Sequence, residues 1–165
     1  MVDDGFKVLV IGRDPAKFEK LYEGIKRNEN LEFFQLNIAS IHDVNDFFRS
    51  IIGSKFQLFG LINCAGVQNP IGKFSEIESE EWVTNISINL LGTTNMIRGS
   101  LLFLNGEKNH RKIINFSGGG ATFSRPNFSA YAVSKTAIVR LTEVLAEELK
   151  DSQIDINTIA PGPIN

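Results

Sequence analysis

The sequence predicts an α/β fold: a doubly wound parallel sheet with helices on both faces. Three observations carry that reading. Short apolar runs alternate with longer stretches of helical periodicity along all 165 residues. The runs are rich in β-branched residues and lack the alternation of a half-exposed strand, which is the pattern of strands buried on both faces. The connections are short, as parallel strands joined by single helices require. With 42% hydrophobic residues, a chain of this length fits one domain, residues 1–165, with a sizeable core.

The first strand is read at Phe6 to Ile11, FKVLVI, between Gly5 and Gly12. Gly12-Arg13 turns the chain, Asp14 is a good N-cap, and Pro15 takes the first helical position. That helix runs to about Arg27, with Phe18, Leu21, Tyr22 and Ile25 at helical spacing. Leu31 to Leu36 is the second strand. Ser40 caps a helix from Ile41 to about Ile52, which Gly53 ends. Phe56 to Ile62 is the third strand and leads into Asn63-Cys64-Ala65-Gly66, followed by a loop containing Pro70 and Gly72. Ser79, with Glu80 and Glu81 in the first turn, opens one long helix to Leu104. Arg111 to Phe116 is the fourth strand, ending at Ser117, and Gly118-Gly119-Gly120 is expected to loosen the loop beyond it. A long helix spans Ser129 to Lys150, a fifth strand Ile154 to Ile159, and Pro161-Gly162-Pro163 follows.

Charge and composition narrow the classes of function. A formal charge of −2 with interspersed signs argues against a nucleic-acid or polyanion binder. No apolar run approaches the ~20 residues of a membrane span, and the N-terminus does not read as a signal peptide. The single cysteine, Cys64, fits a reducing cytoplasm and reads as a small core residue. His42 and His110 form no metal site with it, so no metal is expected.

In a parallel α/β sheet, ligands bind at the carboxyl ends of the strands. Arg13, Asn37, Asn63, Ser117 and Pro161-Gly162 follow the five strands in turn, so all are expected at one rim. Tyr131 and Lys135 lie near the start of the helix after the fourth strand, at the same rim. Four residues apart on a helix, phenol and ammonium point into the same space. A cation beside a phenol favours the phenolate, which suits a proton donor and acceptor.

Asn63-Cys64-Ala65-Gly66, Asn89, Ser117, Tyr131-Ala132-Val133-Ser134-Lys135 and Pro161-Gly162-Pro163-Ile164 resemble, in order and spacing, the motifs of the short-chain dehydrogenase/reductase family. The resemblance covers essentially the whole chain and implies a Rossmann-like fold. It implies that Tyr131 is the general acid in carbonyl reduction and the base in the reverse direction. Lys135 would lower its pKa and bond the nicotinamide ribose. Ser117 would hold the substrate oxygen, and Asn89 would position a water linking Lys135 to solvent. Asn63, Ala65 and Gly66 would pack beside the cofactor, and Pro161, Gly162 and Ile164 would fix the nicotinamide carboxamide. Asn37 stands where the family has an aspartate that contacts adenine, with Ile38 beside it. Gly12 occupies the place of the carboxylate that favours NAD, and Arg13 could pair with a 2′-phosphate, so NADP is the expected cofactor. Phe123, Pro126 and Phe128 could line a substrate pocket or simply pack.

One departure is large. The family opens with a strand and a Gly-x-x-x-Gly-x-Gly loop, and this motif stands nowhere in the chain. Met1 to Gly5 resembles the tail of the helix after that loop, and the segment after Asn165 that would carry the substrate loop is also lacking. The chain is therefore expected to be a fragment or remnant. In the family's strand order, 3-2-1-4-5-6-7, its sheet would lack the central first strand, leaving strand edges unpaired and NADP(H) binding weak. The expected activity is NADP-dependent reduction of a small-molecule carbonyl or oxidation of an alcohol. The alternative is a non-catalytic remnant that keeps a dimerisation surface. A homodimer or homotetramer would form through the helices at 80–104 and 129–150.

Overall fold

The computed structural model describes residues 1–22, 29–51, 58–104 and 110–161. They fall into two compact units, Met1–Asn37 and Ile38–Asn165. In the first, strands β1 (Val8–Gly12) and β2 (Leu31–Gln35) pair in parallel around helix α1 (Pro15–Tyr22). Asp14 caps α1 as expected, its Oδ1 accepting from the N–H groups of Ala16 at 3.1 Å and Lys17 at 3.3 Å. Phe18 stacks on Phe33 with ring centroids 4.6 Å apart. Gly12 lies under that ring: a Cβ there would come 3.2 Å from Phe33.

The second unit is a parallel sheet in the order β3-β4-β5, made of Gly60–Asn63, Arg111–Phe116 and Ile154–Ile159. Two ladders, β1-β2 and β3-β4-β5, are the pairings expected of a doubly wound order from which one strand is left out. Helix α2 (Ile41–Ile51) buries Val44, Phe47 and Phe48 and packs on α4 (Gly92–Leu101). Its cap is reciprocal. Ser40 Oγ accepts from the Asp43 N–H at 3.2 Å and donates to the Asp43 carboxylate at 2.7 Å. Helix α5 (Ser129–Glu148) packs on β4 and β5. Ile97, Leu104, Ile113, Ile154 and Ile156 form the core beneath these helices. On the opposite face of this sheet Ile62 and Ile159 stay 46% and 43% exposed.

The helix expected over 80–104 is not regular. It comprises α3 (Ser79–Ile86), a π-helical turn at Ser87–Leu91, and α4 ending at Leu101. Just past that turn, the hydroxyls of Thr93 and Thr94 bond back to the carbonyls of Asn89 and Leu90, at 2.8 and 2.9 Å. Ser79 is the first helical residue; the cap position belongs to Glu78, which makes no side-chain cap. The triple glycine is also not the loose loop expected. Gly119–Ala121 is a 3₁₀ turn packed on α5, and a Cβ on Gly120 would come 3.1 Å from Ala132. These glycines serve close approach. Among the described residues, no helix is long and apolar enough to cross a membrane, and no three His, Cys, Asp or Glu residues gather as a metal site.

The core makes a stability prediction. Ile113 is fully buried at the centre of β4. Ile113→Ala is expected to cost about 2–5 kcal/mol, lowering the melting temperature by on the order of 10 °C. A thermal melt followed by circular dichroism checks it, and an unchanged midpoint contradicts this placement of the core.

Candidate active site

The carboxyl ends of β3 and β4 and the first turns of α5 converge in the second unit. Lys135 is central to them. Its residue is only 4% exposed, and its Nζ donates to the Phe116 carbonyl at 2.8 Å. The ammonium lies 5.8 Å from the centre of the Tyr131 ring, on the shared stripe that four-residue spacing imposes. Burial pushes Lys135 below the ordinary lysine value, and the Cys64 thiol opposes this more weakly.

Gly66 closes the other side of the amine. A Cβ at that position would come 3.1 Å from Asn89 Oδ1 and 3.4 Å from Lys135 Nζ. The loop after β3 is held there by buried amides. Asn89 Oδ1 accepts from the Val67 N–H at 2.8 Å. Its Nδ2 has three acceptors within 3.1 Å: the Val67 carbonyl, Asn85 Oδ1 and Ser134 Oγ. Asn85 Nδ2 donates to the carbonyls of Val67 at 3.1 Å and Asn69 at 2.7 Å. Ser134 Oγ in turn lies 2.8 Å from the Tyr131 carbonyl. Asn85, Asn89 and Ser134 are all fully buried, so the network ties the loop, the π-helical turn and the start of α5 together in a dry interior.

The structure therefore brings Gly66, Asn89, Ser117, Tyr131 and Lys135 together, with Asn63 and Ala65 at the end of β3. The Asn63 side chain is buried and donates to Asn115 Oδ1 at 2.8 Å, linking two strand ends. The Asn89 amide is spent on protein groups. Ser117 Oγ is buried and donates to the Lys135 carbonyl at 3.4 Å. Ala65 and Pro161 are exposed; Gly162 and Ile164 lie outside the described residues. Ile38 packs at the start of α4, where a Cβ on Gly92 would meet its side chain, and its carbonyl accepts from Asn95 at 3.0 Å. In the first unit, Arg13 and Asn37 are exposed at the carboxyl ends of the paired β1 and β2. Cys64 is exposed rather than the small core residue expected, because it sits where β3 ends. Phe123 is 63% exposed, and the Arg125 guanidinium lies 3.7 Å from the centre of the Phe128 ring.

Sequence reading missed Asn85, Ser134, Gly118 and the bond from Trp82 Nε1 to Ser129 Oγ at 3.2 Å. The available signal was Asn85-x-x-x-Asn89, two amides on one stripe of the helix.

The buried amine predicts a pH dependence. Because the folded-state value of Lys135 is lowered below the unfolded one, the unfolded chain binds more protons between the two. Its contribution to stability rises with pH across that window, up to the ordinary lysine range near ~10.4. The stability of the wild type relative to Lys135→Met is therefore expected to improve as pH is raised from 7 towards 10 (urea melts of both). A constant difference contradicts a desolvated ammonium.

Known proteins resemble this chain in sequence and in fold. Residues 1–165 match the profile of the short chain dehydrogenase family. The chain is 26% identical over 163 residues to a 2,3-dihydro-2,3-dihydroxybenzoate dehydrogenase of Bacillus subtilis, covering 98% of this chain and 62% of that one. It is 27% identical over 172 residues to a benzil reductase of Bacillus cereus, covering 100% of this chain and 68% of that one. Among solved structures, ElxO with NADP bound superposes with a TM-score of 0.88 at 26% identity, over 99% of this chain and 66% of ElxO. The chain thus spans roughly 55–68% of the length of such curated relatives. The chain belongs to the short-chain dehydrogenase family.

Proposed function

We propose that the chain carries the proton-transfer half of an NADP-dependent carbonyl reductase, which in reverse is an alcohol dehydrogenase, acting on a small molecule. The observation that carries this is the desolvated Lys135 ammonium beside the Tyr131 phenol at a strand end. A reduced nicotinamide, when bound, supplies the hydride to the carbonyl carbon. Tyr131 gives its hydroxyl proton to the carbonyl oxygen, and Lys135 stabilises the phenolate that remains. In the reverse direction the phenolate takes the proton of the alcohol. Lys135 also offers N–H donors to a ribose, and Gly66, with no side chain, lets a ring approach the backbone. Asn89 holds that backbone in place and would position a water linking Lys135 to solvent. Ser117 would need to leave the Lys135 carbonyl to reach a substrate oxygen. Asn63 and Ala65 would pack beside the cofactor, Pro161, Gly162 and Ile164 would fix the nicotinamide carboxamide, and Asn37, with Ile38 beside it, would contact adenine. Arg13 at the end of β1 favours the 2′-phosphate of NADP, and ElxO is a relative with NADP bound.

Consumption of NADPH with an aromatic or aliphatic ketone tests the reading. Tyr131→Phe is expected to lower the rate by about 10²–10⁴-fold, the usual worth of a general acid. Equal rates for wild type and Tyr131→Phe would refute it.

A second reading, a chain whose surviving role is association, is favoured by exposed apolar side chains on the same helices. Val83, Leu91, Val133 and Val144 are 57%, 49%, 50% and 47% exposed. Val133 and Val144, three helical turns apart, share a stripe of α5. Apolar faces of this kind suit a homodimer or homotetramer. Sedimentation velocity is expected to show a dimer or larger species that Val133→Glu dissociates; a monomer at all concentrations would remove this reading.

A further inference from the structure

Ser117 and Gly118 stand side by side at the end of β4, and they face different ways. The Ser117 hydroxyl is buried and points to the main-chain carbonyl of Lys135. Gly118 lies against the Tyr131 hydroxyl so closely that a Cβ built on it would overlap that oxygen. The backbone at Gly118 is extended, with φ −171° and ψ 170°, a conformation open to any residue. Glycine is therefore required there by the phenol and not by the chain. Gly120 repeats the arrangement one step on, against Ala132. The turn after β4 is a seat for the first turn of α5, and the phenol oxygen rests on bare backbone.

We infer that Tyr131 is the only side chain of the β4–α5 corner that donates to the reacting oxygen, with Gly118 setting the reach of its hydroxyl and the Ser117 hydroxyl turned away from it towards the Lys135 carbonyl. The inference rests on the reading of Tyr131 as the proton donor and sharpens it. A substrate oxygen at this corner meets one hydroxyl, and the space a second donor would fill is kept by the absence of a side chain at 118. Such a corner suits a carbonyl polarised by its own substituents, such as a 1,2-diketone or a quinone, over an unactivated ketone. A site with one donor has less to offer the developing alkoxide.

The test uses the full chain labelled with 3-fluorotyrosine. Tyr22 and Tyr131 are its two tyrosines, and Tyr22→Phe assigns the signals. Gly118→Ala is expected to move the Tyr131 fluorine resonance and Ser117→Ala to leave it in place. Activity on a 1,2-diketone is expected to stay within about tenfold in Ser117→Ala, because no transition-state contact is lost. Gly118→Ser, which puts a hydroxyl beside the phenol, is expected to move the fluorine signal as the alanine does. The reverse pattern, a signal moved by Ser117→Ala and untouched at position 118, overturns the inference. So does a loss of ~10²-fold or more in kcat for Ser117→Ala at unchanged KM, the mark of a lost oxyanion donor. Should Gly118→Ala not fold, Ser117→Ala still decides the matter. A wild type without turnover would remove the functional reading alone, since the fluorine signals need no cofactor.

Discussion

A primary amine in a nearly dry interior is the constraint on which the second unit depends. Taking an ammonium out of water is costly unless its hydrogens find acceptors and its surroundings are fixed. Lys135 meets the first need with the Phe116 carbonyl at the end of β4. The second is met by Gly66, where a Cβ would stand 3.1 Å from Asn89 Oδ1 and 3.4 Å from Lys135 Nζ, and by the Ser117 hydroxyl, 3.4 Å from the lysine's own carbonyl. The contacts come from the ends of β3 and β4, so the amine on α5 reports whether these three elements are in register at once.

The polar network around Asn89 extends the same logic. A helix that passed Asn89 without interruption would keep a regular backbone, and the π-helical turn replaces that regularity just where the loop after β3 must be gripped. Asn85 adds two bonds to the loop carbonyls and one to the Asn89 amide, while Ser134 reaches back to the carbonyl of Tyr131. A fully satisfied buried network of this kind specifies one arrangement, because any shift strands a polar group without water. What it specifies is the position of the first turn of α5 relative to the loop after β3.

Much of this was legible in the sequence, and the rest failed for definite reasons. The strands at 111–116 and 154–159 are found where the apolar runs placed them, and Asp14-Pro15 starts α1 as capping chemistry demands. Tyr131 and Lys135 were legible because helical spacing alone puts them together. The π-helical turn was not, since the long-range bonds of Asn89 to Val67 and Ser134 that accompany it leave no mark in the composition of Ser87–Leu91. Gly118-Gly119-Gly120 read as flexible because glycine signals both freedom and close approach, and only the Tyr131 ring and Ala132 tell which applies. Ser117 was identifiable as a strand-end hydroxyl, but the direction of its bond depends on where α5 lies. Asn85 escaped notice for a related reason: a buried amide earns its place through main-chain carbonyls, which no residue type reveals.

Arg13 and Asn37 stand at the strand ends of the first unit, and Lys135 and Tyr131 at the end of β4 in the second. The central claim is that this second unit is a working nicotinamide end in its own right. Reduced nicotinamide mononucleotide tests it most directly, because that half-cofactor makes no demand on a diphosphate cradle. Titrated into the ¹⁵N-labelled chain, it is predicted to shift the amides of Gly66, Val67, Gly118, Tyr131 and Lys135 and to leave Met1–Asn37 unchanged. Shifts confined to the first unit, or none at a saturating concentration, would contradict the account.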